Sequence, residues 1–331
     1  MPSPNAFRRL ILPIVIAIPV LFAMLSYGLF SNNIASGLWV LMSLAFLLGV
    51  PFVMGALTIY FSPLKWVKSL GYQILMPWVP IGIFFVVTLL VGWEGWACWL
   101  MALPLAMVAS TIGGLAAARY KEREGNKNER VYLSLIVLLP LIISPIEQLI
   151  GKIPGQYKAY TYIDIHAGKE AIWKNVTRVG EIAAAQDKGW FTRMLGFPRP
   201  VKAELNYEGV GAYRKAIFDK GLVFDEKVTA YNHQRSMSFT IHADPYNIPS
   251  TTMDEHIVIG GEYFDVLNGA YELEPLSNGT YRLHLYSHFK LNTTFNFYAS
   301  WWASWIMKDI QNNILQVIRQ RAESGLPEDR I

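Results

Sequence analysis

The chain has little charge and almost no cysteine. Only 16% of its 331 residues are Asp, Glu, Lys or Arg, against roughly 25% in a soluble globular domain. A highly charged, water-solvated chain is excluded. The net charge of +4 is small and spread along the sequence, which argues against nucleic acid as a partner. The single cysteine, Cys98, rules out any disulfide within the chain and says nothing about redox compartment. No Gly-rich phosphate loop, Ser/His/Asp ordering or Cys nucleophile stands out. No metal or cofactor is expected.

What fills the space is apolar sequence, 53% of the chain, and it is unevenly placed. Five apolar runs occupy the first 150 residues, at 10–30, 37–61, 70–91, 96–118 and 131–150. A helix rises 1.5 Å per residue and the hydrocarbon core of a bilayer is roughly 30 Å thick, so about 20 apolar residues suffice to cross it. The expectation is an all-α membrane bundle of about five spans over 1–150, then a linker at 151–156, a water-soluble domain at 157–323 and a tail at 324–331.

Lys and Arg favour the cytoplasmic side of a membrane. Arg8 and Arg9 precede the first run, Lys65 and Lys68 follow the second, and Arg119, Lys121, Arg123, Lys127 and Arg130 follow the fourth. The other two loops hold no Lys or Arg; the third carries only Glu94. That alternation predicts a cytoplasmic N-terminus and an extracytoplasmic C-terminal domain, as in a bacterial cytoplasmic membrane. The side depends on 131–150 crossing completely.

Glu147 is the one acid inside an apolar run. Near the run's end, it is expected to reach the headgroup layer. Gly113 and Gly114 sit among alanines and suit close helix packing. The prolines in these runs read as helix kinks. No row of charged residues crosses the apolar layer, so ion pumping is not indicated.

After residue 156 the period changes. Strands are expected at 160–166, 201–206, 212–218, 222–230, 235–242, 256–262, 266–273 and 281–291. Helices are expected at 168–176, within 186–200, and over a long stretch at 296–323. Turn residues separate the strands at 219–221, 231–234 and 277–279. A sheet with one apolar face must bury it, and the terminal helix is the only element long enough to do so. The expected fold is α+β: a curved antiparallel sheet gripping a long C-terminal helix.

The order of motifs carries a resemblance. Ile163-Asp164-Ile165 leads to Trp173. Gly211-Ala212-Tyr213-Arg214, Phe224-Asp225-Glu226-Lys227-Val228 and Met237-Ser238-Phe239 follow. Tyr271-Glu272-Leu273-Glu274-Pro275, Gly279-Thr280-Tyr281-Arg282-Leu283 and Ile314-Leu315-Gln316-Val317-Ile318 complete the series. The C-terminal half resembles the SRPBCC superfamily, which includes START-like lipid-binding domains and polyketide cyclase/dehydrase-like proteins. The resemblance implies a helix-grip fold and an apolar cavity. It implies no single function, since the superfamily holds binders, transporters and enzymes.

Pairing the strands through a three-residue loop at 219–221 sets Ala216 opposite Phe224 and Arg214 opposite Glu226. The next hairpin is expected to set Val228 opposite Met237 and Glu226 opposite Phe239. Arg214 and Glu226 would then lie on the apolar side, as a structural ion pair or as the anchor for a ligand's polar group. Phe224 and Phe239 lie beside them as apolar lining. At the start of the last helix, helical spacing groups Tyr298, Trp302 and Trp305, with Phe297 and Trp301 alongside. They pack the core or form a mouth that meets lipid. The candidate ligand-binding residues are therefore Arg214, Glu226, Phe224, Phe239, Trp301, Trp302 and Trp305.

His284, Tyr286 and His288 alternate with Leu283, Leu285 and Phe289 and are expected to face solvent. Two histidines four apart on a strand stand about 13 Å apart and cannot share a metal ion.

The leading expectation is a membrane-anchored binder of a lipid or other hydrophobic small molecule. Two alternatives stay open. One is a cyclase-, dehydratase- or hydrolase-type enzyme using Glu226 with Tyr213 or His242; the other is a non-catalytic scaffold docking a protein partner. The ligand and the oligomeric state are not written in the sequence.

Overall fold

A computed structural model describes residues 4–31, 38–123, 129–243 and 259–325. The chain divides into two compact units, Met1–Lys152 and Ile153–Ile331.

The first unit is helical: α1 Pro4–Ser31, α2 Val50–Phe61, α3 Leu64–Val67, α4 Leu70–Leu75, α5 Trp78–Val91, α6 Trp96–Arg123 and α7 Glu129–Ile150. Three stretches among the described residues are long and apolar enough to cross a membrane: Ile11–Ser31, Leu70–Val91 and Trp96–Glu122. The second expected span comes out shorter, as the apolar helix Ala45–Phe61, while α7 runs the full length of the fifth.

The second run is short for a physical reason. Its helix does not begin until Leu44, and it opens with a wide π-type turn at Ala45–Gly49. The first N–H groups of a helix have no partner in their own helix. Here Glu147 of α7 supplies one: its Oε1 accepts from the Leu44 N–H at 2.8 Å and its Oε2 from the Ala45 N–H at 3.0 Å. Glu147 is buried, so it caps a helix and does not reach a headgroup layer as expected. Ser144 and Leu141 on α7 hold the same region, through Ser144 Oγ to the Leu38 carbonyl and Trp39 Nε1 to the Leu141 carbonyl.

α2 and α6 touch backbone to backbone. A Cβ added at Gly55 would lie 1.9 Å from the Ser110 carbonyl oxygen, and one at Gly113 would lie 1.9 Å from that of Phe52. These glycines allow the crossing.

Among the described residues, the second unit is a seven-stranded antiparallel sheet with three helices. The strands are β1 Ile153–Ile165, β2 Pro200–Leu205, β3 Tyr213–Phe218, β4 Val223–Asn232, β5 Ser236–Ala243, β6 Phe264–Pro275 and β7 Tyr281–Thr293. Their order is β1-β7-β6-β5-β4-β3-β2. α8 Lys169–Thr177 and α9 Trp190–Leu195 follow β1, and α10 Asn296–Ser324 ends the chain. This is the expected helix-grip arrangement. β1 begins at Ile153, inside the stretch expected to be a linker, because 153–156 pair with 290–293 of β7. The expected strand 256–262 lies partly outside the described residues; Ile259 makes only an isolated bridge to Phe264. The expected tail beyond residue 325 also lies outside them.

The core fills one end of the grip: Ile172, Trp173 and Val176 of α8 meet Met237, Leu283 and Leu315. α10 lies along β1 and β7, at one edge of the sheet, and against α8 and α9. Two side-chain contacts fix it there. Asn296 donates to the Ile153 carbonyl and accepts from the Thr293 N–H at 3.0 Å. Gln311 accepts from Thr161 Oγ1 at 3.0 Å and donates to Ser287 Oγ at 2.9 Å.

The glycine crossing makes a prediction. Gly55→Ala drives a methyl group into the backbone of α6 and should destabilise the full-length protein in detergent by about 1–3 kcal/mol. Gly82→Ala, where nothing lies within 4 Å of the added carbon, should leave the melting temperature unchanged or raised. Thermal melts of the two variants side by side check this.

Candidate functional site

β3 and β4 are joined by the short turn Asp219–Gly221, in which Gly221 takes a φ of 82°. The turn sets Ala216 opposite Phe224 and Arg214 opposite Glu226, the register read from the sequence. The next hairpin differs. Val228 stands opposite Phe239 and Glu226 opposite Ile241, two residues from the expected pairing, and a bulge at Thr229 separates the Val228 and Ala230 pairs. A shift of two keeps every side chain on its face. Phe239 therefore still lies on the concave side with Arg214 and Glu226.

Arg214 and Glu226 are both buried. Arg214 Nη1 donates to Glu226 Oε2 at 2.5 Å, while its Nε points to the Thr177 carbonyl at 3.4 Å. The carboxylate is thus met through Nη1, without the parallel two-bond fork of a purely structural Arg–carboxylate pair. The guanidinium carbon lies 5.6 Å from the Phe239 ring centre and 5.9 Å from that of Tyr271. The Tyr271 phenol is buried in the same group and interacts electrostatically with Arg214. Phe239 fits because Gly269 faces it: a Cβ there would come within 2.8 Å of the ring.

Burial shapes the charges. It raises the Glu226 pKa above the ordinary carboxylate value, and Arg214 pulls it back only in part. Burial works against the Arg214 charge, but Glu226 and Tyr271 more than restore it, so its pKa lies above the usual one. Burial also raises the Tyr271 pKa. The group offers a fixed cation, a carboxyl group of raised proton affinity and a phenol in one apolar setting.

Next to this triad the concave face is incompletely covered. Ala216, Phe224 and Ile241 point inward by strand alternation, yet all three keep partial exposure. Phe224 packs edge-on against Phe218, with ring centres 5.2 Å apart. On α10, Ile306 and Ile310 are also only half-buried. Trp302 is half-buried and stacks on Phe191 of α9 at 6.2 Å. Trp301 and Trp305 stand differently: both are exposed, on a stripe with Phe297. The expected grouping of Trp305 with Tyr298 and Trp302 survives only as ring contacts, since Trp305 lies on the open side of the helix. Arg214, Glu226 and Phe239 are thus brought together, Phe224 lies one pair along the strands, and the three tryptophans sit at the start of α10.

Three features were not read from the sequence. Tyr271 completes the triad; its alternation with Leu273 put its hydroxyl on the inner face. Gln311 is a buried polar residue on the sheet-facing side of α10. The third is a strap: Arg199 pairs with Asp187 and donates to Thr192 Oγ1 at 2.6 Å. Thr192 in turn donates to Asp309 at 2.9 and 2.7 Å, and Asn313 donates to Asp187 at 2.7 Å. These bonds hold 187–199 against α10.

His284 corrects an expectation. It lies on the outer face but is buried there, with its ring stacked beside those of Tyr160 and Tyr286 at 5.9 and 6.1 Å. Its Nδ1 bonds the Tyr160 hydroxyl and its Nε2 bonds Glu274. The tall aromatic neighbours cover it. No group of three or more metal-ligating side chains occurs among the described residues.

The chain matches no protein-family model and no curated protein. Solved structures resemble its C-terminal half. A START superfamily protein from Mycobacterium smegmatis is 9% identical, with 52% of this chain and 100% of that one covered at a TM-score of 0.35. Truncated norcoclaurine synthase from Thalictrum flavum is 10% identical, with 51% and 95% covered at 0.30. DynU16, from the dynemicin biosynthetic locus, is 15% identical, with 52% and 49% covered at 0.29. Each is a likeness that carries over neither ligand nor reaction.

The buried pair makes the second prediction. Glu226→Leu strands a buried guanidinium and should cost about 3–5 kcal/mol, whereas Glu226→Leu combined with Arg214→Met should recover most of that loss. Urea titrations of the single and double variants in detergent measure the difference.

Proposed function

We propose that this chain binds a lipid or another hydrophobic molecule in the gap between α10 and the β3–β5 half of its sheet, while its apolar helices hold it in a membrane. The observation that carries the reading is the position of α10. It lies on β1 and β7, while Ala216, Phe224 and Ile241, inward-facing at the other side of the sheet, stay partly exposed beside a buried Arg–Glu–Tyr group. An apolar lining with a few converging polar groups is the usual make-up of a small-molecule site.

The assignment of residues follows. Arg214, Glu226 and Tyr271 take the polar end of the ligand. Phe224, Phe239 and Ile241 take the apolar part. Trp301, Trp302 and Trp305 stand at the entrance. Burying a chain is worth about 0.8 kcal/mol per CH₂, so a lipid leaves a bilayer slowly unless apolar contacts meet it at once. A gripping domain held at the membrane offers them.

The membrane arrangement in this reading has all five apolar runs crossing. The basic residues before the first run and after the second and fourth then lie in the cytoplasm, and the second unit lies on the opposite side.

The test uses delipidated full-length protein in detergent with the fluorescent fatty acid cis-parinaric acid. Wild type should bind it with a rise in fluorescence. Ile241→Trp fills the gap and should weaken binding about tenfold or more, a loss of roughly 1.4 kcal/mol per decade, with the melting temperature maintained. A wild-type chain that binds neither this probe nor any co-purified lipid overturns the reading.

A further inference from the structure

Two exposed aromatic patches among the described residues of the second unit differ in one respect. On the outer face of the sheet, Lys158 Nζ sits 4.1 Å from the Tyr286 ring centre and Arg282 sits 4.4 Å from that of Tyr162. Those rings already carry cations. At the start of α10, Phe297, Trp301 and Trp305 follow each other at intervals of four residues and form one stripe. Trp190 and Met194 make a second, shorter stripe on α9. Phe191 joins the two, with its ring 5.7 Å from Trp190 and 6.5 Å from Trp305. The five residues of the two stripes, Phe191 aside, are 46–69% exposed. Soluble monomers rarely show large contiguous apolar surfaces without a partner.

We propose that Phe297, Trp301 and Trp305, with Trp190 and Met194, form a wedge that the second unit sinks into the interfacial layer of an anionic bilayer. This rests on the reading that the apolar helices place the chain in a membrane. Three observations favour a bilayer over a protein surface.

The first is chemistry. Tryptophan has an apolar body and one N–H donor and collects at the headgroup level of membranes. The second is charge. Lys188, Arg193 and Lys308 are exposed and lie within three residues of the wedge in sequence. Basic residues at a membrane surface are drawn to anionic lipid.

The third is the path of the chain. Asn296, next to Phe297, donates to the carbonyl of Ile153. Only Gly151 and Lys152 separate Ile153 from Ile150, the last residue of the apolar helix α7. A chain leaving the hydrocarbon at Ile150 brings Ile153 to the membrane surface, and Asn296 brings the aromatic end of α10 with it. The wedge is thus the part of the second unit tied most directly to the point of exit. It also adjoins Trp302, the half-buried ring at the proposed entrance, so a lipid entering there would pass from headgroup layer to grip without crossing water.

The full-length protein provides a clean probe, because Cys98→Ser removes its only cysteine. In that background, Trp305→Cys and, separately, Trp190→Cys are labelled with an environment-sensitive fluorophore. Tyr213→Cys, exposed on β3, is the control. Each is reconstituted in vesicles of phosphatidylcholine, alone or mixed equally with phosphatidylglycerol, with nitroxide-labelled lipid added. The labels at 305 and 190 should emit at shorter wavelength than the label at 213. Acyl-chain nitroxides should quench them, more so with phosphatidylglycerol. Aqueous emission at both wedge positions in both lipids overturns the proposal. So does a blue-shifted label that lipid nitroxide fails to quench, which marks a second copy or another protein surface as the occupant. Protein that binds no cis-parinaric acid yet shows quenching keeps the wedge and loses the ligand site. Protein that binds the probe without quenching does the reverse.

Discussion

A helix is about 10 Å across, and the sheet of this protein is far wider. Six inter-strand spacings of about 4.8 Å make roughly 29 Å. One helix therefore cannot cover seven strands, and where it lies decides what the rest of the concave face does. α10 is held to the β1–β7 edge by Asn296 and Gln311. On its other side α8 inserts Trp173 and closes one end. What remains is the region over β3–β5, where Arg214, Glu226 and Tyr271 collect and where inward-facing residues keep partial exposure. Site and gap follow from the same mismatch in width.

The buried ion pair is costly in such a place. Two charges taken out of water recover their desolvation only with close contact and further hydrogen bonds. Arg214 has these in Glu226 and Thr177, with the Phe239 and Tyr271 rings alongside. A filled apolar core would be cheaper. A polar group in an otherwise apolar gap suits the proposed ligand site, because a purely apolar lining holds a chain in either direction.

Much of this was legible in the sequence because it rests on short-range rules. The change from apolar runs to alternating strands marked the two units. The three-residue turn at Asp219 fixed Arg214 opposite Glu226, since loop length sets register over a few residues. The next hairpin shows the limit. The turn closes over 233–235 and not 231–234, which moves the pairing by three, and the bulge at Thr229 takes one back; no turn residue announces a bulge within a strand. Long-range contacts were out of reach for the same reason. Nothing local ties Gln311 to Thr161, 150 residues away, or Glu147 to Leu44, 103 residues away. His284 went astray because alternation gives the face of a side chain but not the height of its neighbours. On the outer face Tyr160 and Tyr286 are tall enough to bury it.

Glu147 and Asn296 do the same work in the two units. An apolar setting leaves a broken backbone ladder without water to finish it, so the loose N–H and C=O groups need protein partners. Where the second apolar run starts its helix late, the carboxylate of Glu147 takes the two N–H groups. Where β7 ends and α10 begins, Asn296 takes the Thr293 N–H and gives its own to Ile153. Each residue is polar, buried and distant in sequence from a group it satisfies. That combination explains a carboxylate in an apolar run without any transport or proton-transfer role. The acid receives the first hydrogen bonds of the helix that begins at Leu44.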